Sequence, residues 1–242
     1  MAAVPSSTGC RIRASHLERQ LDDEADAGVI STGTETYRLK ELLPDRLKEL
    51  LPGRVRLRED GEMPVDSLMR IHSPEFKAMA DRVLEVTALT SRLNVLPFDD
   101  EAGKAALFEK ILGRPLPARV TIYPPFYTDH GLQLDLAEGV FINQGCTFLD
   151  YAGIRIAERV MIGPKATFIT SGHPVDPAER KLYLTGEPID VAENVWIGAG
   201  ATILPGVSIG RDAVIAAGAI VADDVPAASL VTGTKATVRR RW

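Results

Sequence analysis

The sequence is poor in cysteine. It holds two, Cys10 and Cys146, among 242 residues, and they are too far apart to form the paired spacing of a zinc site or a disulfide framework. The amino terminus, residues 1–13, has no apolar run of the kind found in secretion signals. This composition predicts a protein of the reducing cytoplasm, without a bound metal.

An excess of basic charge is also missing. The sequence has 28 Lys and Arg against 33 Asp and Glu, a formal net charge of −5. No basic field is available to hold a phosphate backbone, so nucleic acid is not an expected partner.

Long uninterrupted apolar runs are missing too. The most apolar stretch, residues 195–221, contains glycines, Pro205, Arg211 and Asp212 at intervals far too short for a bilayer helix. We therefore expect no association with a membrane, and the apolar content of this stretch needs another explanation.

That explanation is a repeat of six residues. Aliphatic residues stand at every sixth position in one long run: Val191, Ile197, Ile203, Ile209, Ile215 and Val221. Two shorter runs precede it: Leu136, Ile142 and Phe148, then Ile156, Ile162 and Phe168. A period of six fits neither a helix nor an alternating hairpin. It fits short parallel strands that turn at corners, so that three hexads close one coil of a solenoid.

Several motifs lie within the repeat or in the segments that interrupt it. They are YPPFYTDHG at 123–131, FINQGCTFLD at 141–150, SGHPVDPAER at 171–180 and NVWIGAGATILPGVSIG at 194–210. With the hexads, these motifs resemble the maltose, galactoside and nodulation O-acetyltransferases, hexapeptide-repeat acyltransferases, over roughly residues 75–238. The resemblance implies a mainly β fold, a left-handed parallel β-helix with an N-terminal helical segment.

The resemblance also suggests how the chain is divided. We expect an unassigned and partly helical extension at 1–70, a helical segment at 71–115, and the β-helix at 116–238 with a loop at 169–190. Apolar spacing at 75–112 predicts two helices, the second starting at Asp99 and Asp100. In the extension, a tandem LKELLP at 39–44 and 47–52 favours short turns of helix that end at proline, either as a cap on the solenoid or as a docking element.

His173 lies where the hexads stop, within SGHP. Transfer of an acyl group from a thioester to an alcohol needs a base near the hydroxyl group, and imidazole suits that role. The resemblance makes His173 the general base and Asn143 the residue that orients the acceptor, with direct transfer from acetyl-CoA. It places the oxyanion near the backbone N–H of Ala199. Cys146 occupies a core-facing slot, so we interpret it as packing.

The resemblance assigns further residues to the two substrates. It implies an acceptor pocket formed by Asp150, Tyr127 and Phe126, although Ser73 replaces an aspartate that relatives place against a sugar. It implies a donor strip for the pantetheine arm formed by Trp196, Ala199, Ala217 and Gly218. At the nucleotide end, Asp223 stands where relatives carry lysine, and Lys235 or the arginines at 239–241 are candidates to compensate.

The resemblance predicts a homotrimer that acetylates a hydroxyl group of a sugar or small natural product. Three alternatives stay open at this point. One is another acyl donor, including one held on a carrier protein, which Asp223 favours. Another is a non-catalytic scaffold subunit. The metal-dependent carbonic anhydrase type is a third, but His130 and His173 are too few for its metal site.

Overall fold

The computed structural model of the protein describes residues 29–32, 35–38 and 68–241. The chain divides into two units, Met1–Met63 and Pro64–Trp242. In the first unit, β1 (Val29–Thr32) and β2 (Glu35–Arg38) pair in antiparallel fashion. The tandem LKELLP motif lies outside the described residues. A short strand, β3 (Leu68–Arg70), pairs within the second unit.

Two helices follow, α1 (Pro74–Leu93) and α2 (Glu101–Leu112). Ser73 caps α1, since its hydroxyl oxygen accepts a hydrogen bond from the backbone N–H of Phe76 at 3.1 Å. Asp100 caps α2 in the same way, accepting from the N–H of Gly103 at 2.8 Å. Ser73 therefore serves the helix as its N-cap.

The rest of the unit is a solenoid of three parallel faces. Face 1 holds β4 (Thr121–Ile122), β7 (Phe141–Ile142), β10 (Met161–Ile162), β15 (Trp196–Ile197), β18 (Val214–Ile215), β20 (Ser229–Thr232) and the antiparallel β21 (Thr237–Arg241). Face 2 holds β5 (Phe126–Thr128), β8 (Cys146–Leu149), β11 (Thr167–Ile169), β16 (Thr202–Ile203) and β19 (Ile220–Val221). Face 3 holds β6 (Leu134–Leu136), β9 (Ile154–Ile156), β14 (Ile189–Val191) and β17 (Ser208–Ile209). The chain turns from face 1 to face 2 at corner 1–2 and from face 2 to face 3 at corner 2–3.

The inward positions of these strands form one continuous core. The hexad residues are all buried, and the rings of Phe148 and Phe168 stack in successive coils with centroids 4.8 Å apart and planes 11° apart. The amide of Asn94, at the end of α1, bonds both backbone groups of Phe126 at 2.8 and 3.0 Å, so the helix covers the edge of the first coil. The prediction of a parallel β-helix with a helical segment before it is confirmed.

The early coils are longer than three hexads. Ile142 pairs with Ile162, a coil of 20 residues, whereas Ile197 pairs with Ile215, a coil of 18. The two extra residues lie at corner 2–3, between β8 and β9. The third coil opens at the same corner into a much longer excursion, residues 170–188, which carries the candidate base.

Candidate active site

The excursion is a small antiparallel sheet. Its strands are β12 (Ser171–Gly172) and β13 (Tyr183–Gly186), and β3 pairs with the other edge of β13. The N–H of Ile71, just after β3, donates to the carbonyl oxygen of Leu182 at 2.7 Å. Backbone from the segment before α1 therefore holds the excursion in place, a role that the sequence pattern of β3 does not signal.

His173 directly follows β12, and its ring is exposed. Its Nδ1 atom lies 3.1 Å from the carbonyl oxygen of Tyr183. A carbonyl oxygen can only accept a hydrogen bond, so Nδ1 carries the hydrogen. In a neutral imidazole the lone pair is then on Nε2, which is free to take a proton from a hydroxyl group.

Corner 1–2 brings together Asn143 and two glycines in successive coils. The Asn143 side chain accepts a hydrogen bond from the N–H of Gln144 at 2.8 Å. A Cβ atom at Gly163 would lie 2.7 Å from the nitrogen of Ala199, and one at Gly198 would lie 2.5 Å from the nitrogen of Ala217. Glycine is therefore required for the coils to stack at this corner.

A narrow groove of about 410 Å³ runs along the same corner. Trp196, Ala199 and Ala217 line it, and the indole of Trp196 is half exposed. At Gly218 a Cβ would meet no atom within 4 Å, so the surface beside the groove is clear. Ala199 is exposed, and its N–H donates to no acceptor among the described residues.

Corner 2–3 holds a buried carboxylate, Asp150, which is 0% exposed. Its Oδ1 accepts from the hydroxyl of Thr128 at 2.6 Å and from the N–H groups of His130 and Gly131 at 3.0 and 2.9 Å. Its Oδ2 accepts from the N–H of Gln133 at 3.1 Å. Asp150 therefore organises the wide turn of the first coil.

Two other titratable groups share this corner. Burial, the hydrogen bond to Asp150 and the negative charge of Asp150 together raise the pKa of Asp129 to about 7. Burial lowers the pKa of His130, whose Nδ1 atom is buried and has no hydrogen-bond partner among the described residues.

No group of three His, Cys, Asp or Glu side chains in the described part of the chain is arranged to hold a metal ion. Nor is either helix there long and apolar enough to cross a membrane.

Comparison with known proteins identifies the relatives of this fold. The family model for the bacterial transferase hexapeptide (six repeats) matches residues 188–223. A relative from Schizosaccharomyces pombe is 42% identical over 121 residues, which are 50% of this chain and 58% of that relative. A galactoside O-acetyltransferase from Lactococcus lactis is 32% identical over 184 residues, 73% of this chain and 88% of the relative. The protein belongs to the hexapeptide-repeat acetyltransferase family.

A solved structure supports the same assignment. It is a hexapeptide-repeat acetyltransferase from Vibrio cholerae in complex with acetyl coenzyme A. The two chains share 33% identity with a TM-score of 0.63, over 70% of this chain and 90% of that one.

Two residues that the family resemblance placed in the acceptor pocket lie elsewhere, and these predictions are wrong. Asp150 is fully buried and its oxygens are taken by four donors, so it cannot contact an acceptor. Phe126 is 0% exposed and packs against Phe108 and Phe148 in the core. Its neighbour Tyr127 points outward from β5 and is 46% exposed, so it stays a candidate.

At the nucleotide end that the family pattern predicts, Lys235 lies 4.0 Å from Asp223. Both side chains are largely exposed, so the ion pair is weak. It nevertheless brings a cation beside Asp223.

The two predicted catalytic residues lie at different corners of the solenoid. Asn143 lies at corner 1–2, before β8, whereas His173 lies beyond corner 2–3. Strand β8 alone spans about 13 Å at its usual rise of 3.3 Å per residue. One strand therefore lies between the two corners.

Proposed function

We propose that this acetyl-CoA-dependent acetyltransferase moves an acetyl group to a hydroxyl group of a sugar or another small hydroxylated molecule, with His173 as general base. The observation that carries the proposal is the contact between Nδ1 of His173 and the carbonyl oxygen of Tyr183. It leaves Nε2 as the proton acceptor and fixes the ring on a held strand.

The chemistry follows from that geometry. Nε2 of His173 removes the proton of the acceptor hydroxyl as its oxygen attacks the thioester carbonyl carbon. The N–H of Ala199 donates to the oxygen that becomes negatively charged. His173 then returns the proton to the thiolate sulfur of coenzyme A as the carbon–sulfur bond breaks.

Transfer is direct in this proposal. Cys146 is the nearest candidate nucleophile in the sequence, but it is fully buried and its thiol donates to the carbonyl oxygen of Gly163 at 3.2 Å. Burial raises the pKa of this thiol, which disfavours the reactive thiolate.

The assembly in the proposal is a homotrimer. His173 of one subunit faces Asn143 and the groove beside Trp196 and Ala199 of the next subunit. This arrangement explains why His173 and Asn143 lie apart within a single chain. Asn143 orients the acceptor hydroxyl beside the base.

Lys235 offsets the charge of Asp223 at the nucleotide end of coenzyme A, and a donor on a carrier protein is the alternative if that compensation fails. The cytoplasm, which supplies acetyl-CoA, is the proposed location.

The test is acetyl-CoA turnover with a panel of sugars and small alcohols, measured as release of the free thiol. His173→Ala should lower kcat by about 10²- to 10⁴-fold with little change in acetyl-CoA binding by calorimetry. Val175→Ala is the matched control, because Val175 lies in the same excursion and is 90% exposed. Equal activity of His173→Ala and the control would exclude His173 as the base.

A further inference from the structure

Hydrogen-bonded pairs in the excursion follow a fixed alternation. Ser171 lies opposite Gly186, and the N–H of Glu187 donates to the carbonyl oxygen of Thr170 at 2.8 Å. Hydrogen-bonded pairs in an antiparallel ladder occur at every second residue. After residues 170 and 187, they fall at 172 with 185, and then at 174 with 183.

The pairing of β13 with β3 shows which backbone groups of β13 face β3 and which face β12. The N–H of Ile71 bonds the carbonyl oxygen of Leu182 on the β3 side. Successive backbone groups of a strand point to opposite edges, so Leu184 also faces β3 and Tyr183 faces β12. The carbonyl oxygen of Tyr183 is therefore out of reach of β3, and the residue that the ladder would bring to it is residue 174.

Residue 174 is proline, which has no backbone N–H. The ladder ends there, and the place of the missing donor is taken by Nδ1 of His173, the neighbouring residue. The structure assigns Pro174 as a positioning residue: by withholding a backbone donor, it reserves the carbonyl oxygen of Tyr183 for the imidazole of His173.

The consequence is a fixed tautomer and a fixed ring. A non-proline residue at 174 supplies an N–H that approaches the Tyr183 carbonyl from the same side as the imidazole and competes with it. His173 then loses the contact that keeps the hydrogen on Nδ1. The effect on catalysis rests on the proposed function, whereas the tautomer is a property of the protein alone.

The first test is the ¹⁵N spectrum of the histidine side chains in the full chain, without substrates. His173 should be the Nδ1–H tautomer in the unaltered protein and a mixture of tautomers in Pro174→Ala. Pro177→Ala is the matched control, because Pro177 lies in an exposed turn of the same excursion and should leave the spectrum unchanged. A Pro174→Ala spectrum identical to that of the unaltered protein overturns the assignment.

A second variant separates the missing N–H from the rigid proline ring. Lactic acid at position 174 has the side chain of alanine and an ester oxygen in place of N–H. The lactic acid variant should have the Nδ1–H tautomer of the unaltered protein. This result tests the assignment even if Pro174→Ala fails to fold. A mixture of tautomers in the lactic acid variant would mean that the ring, and not the absent donor, positions His173, and the assignment would be wrong.

Kinetics provide the third readout. Pro174→Ala should lower kcat about tenfold with an unchanged KM for acetyl-CoA, and the lactic acid variant should recover it. If the unaltered protein is inactive but Pro174→Ala shows the expected change of tautomer, the proposed function is wrong and the assignment of Pro174 stands. A loss of kcat in Pro174→Ala without any tautomer change contradicts the assignment.

Discussion

The carboxyl group of Asp129 accepts a hydrogen bond from the backbone N–H of Asp150 at 2.8 Å, beside the buried carboxylate of Asp150 itself. Two neighbouring carboxyl groups in a buried corner cannot both ionise without cost. The pKa of Asp129, raised from 3.8 to about 7, means that the pair holds a proton up to near-neutral pH. Arg82 and His130 lie beside this pair, and the Nε–H of Arg82 donates to the carbonyl oxygen of His130 at 3.0 Å.

This pair predicts how stability depends on pH. Between pH 4 and 7 the native protein holds a proton that the unfolded chain has released, so the free energy of unfolding falls as pH rises through this window. The slope reaches about 1.4 kcal/mol per pH unit. Asp129→Asn keeps an amide donor and an acceptor at every pH, so urea unfolding should show a flatter profile for this variant. The same slope in both proteins would contradict the shared proton.

Asp150 should behave as a structural residue. Asp150→Ala leaves one hydroxyl and three N–H donors without their acceptor, and we expect a loss of about 3 kcal/mol or more in the free energy of unfolding. Asp99→Ala, at an exposed position, is the control. A stable Asp150→Ala protein with a raised KM for the acceptor would restore the original prediction of a pocket residue.

Phe126 and Tyr127 are neighbours on β5 and point to opposite sides. Phe126→Ala opens a cavity in the core and should cost about 3–5 kcal/mol of the free energy of unfolding. Tyr127→Ala should cost less than about 0.5 kcal/mol. Because Tyr127 stays a candidate for the acceptor pocket, its loss should raise the acceptor KM. Similar unfolding midpoints for the two variants would contradict the orientation of β5.

The sequence allowed the architecture to be predicted because the six-residue period reflects the geometry of the core itself. Each inward residue must stack on its equivalent in the next coil, so aliphatic residues return in phase. The error at Phe126 arose where the phase is broken, since coils there have 20 residues. Phe126 pairs with Cys146, 20 residues later, and Cys146 had been assigned to the core. The coil length was the signal that placed both inside.

Backbone contacts were beyond sequence reasoning. Nothing in Leu68–Arg70 indicates that this segment pairs with β13, because a strand of three residues has no measurable period. The carbonyl oxygen of Tyr183 is likewise invisible in a side-chain pattern, although it defines the tautomer of His173. Asp150 was assigned by motif, and its burial depends on the wide corner that the extra residues create.

The charge pair at the nucleotide end gives a direct test of donor choice. Asp223→Lys replaces repulsion of a phosphate group with attraction and should lower the KM for acetyl-CoA severalfold, with kcat unchanged. Lys235→Ala should raise it, because Asp223 then has no neighbouring cation from this turn. Asp223→Asn is the intermediate control. Identical KM values in all variants would place the nucleotide elsewhere and favour a carrier-bound donor.

The separation of Asn143 and His173 predicts complementation between two inactive variants. If each site uses His173 from one subunit and Asn143 from the next, a mixture of His173→Ala and Asn143→Ala chains forms some intact sites. With random assembly of equal amounts, a site is intact when one chain retains His173 and its neighbour retains Asn143. About one quarter of all sites should then be active, which is one site in each mixed trimer. Each variant refolded alone is the control. Mixed refolding that restores no activity, although mass spectrometry shows mixed oligomers, would mean that the two residues do not act in one shared site.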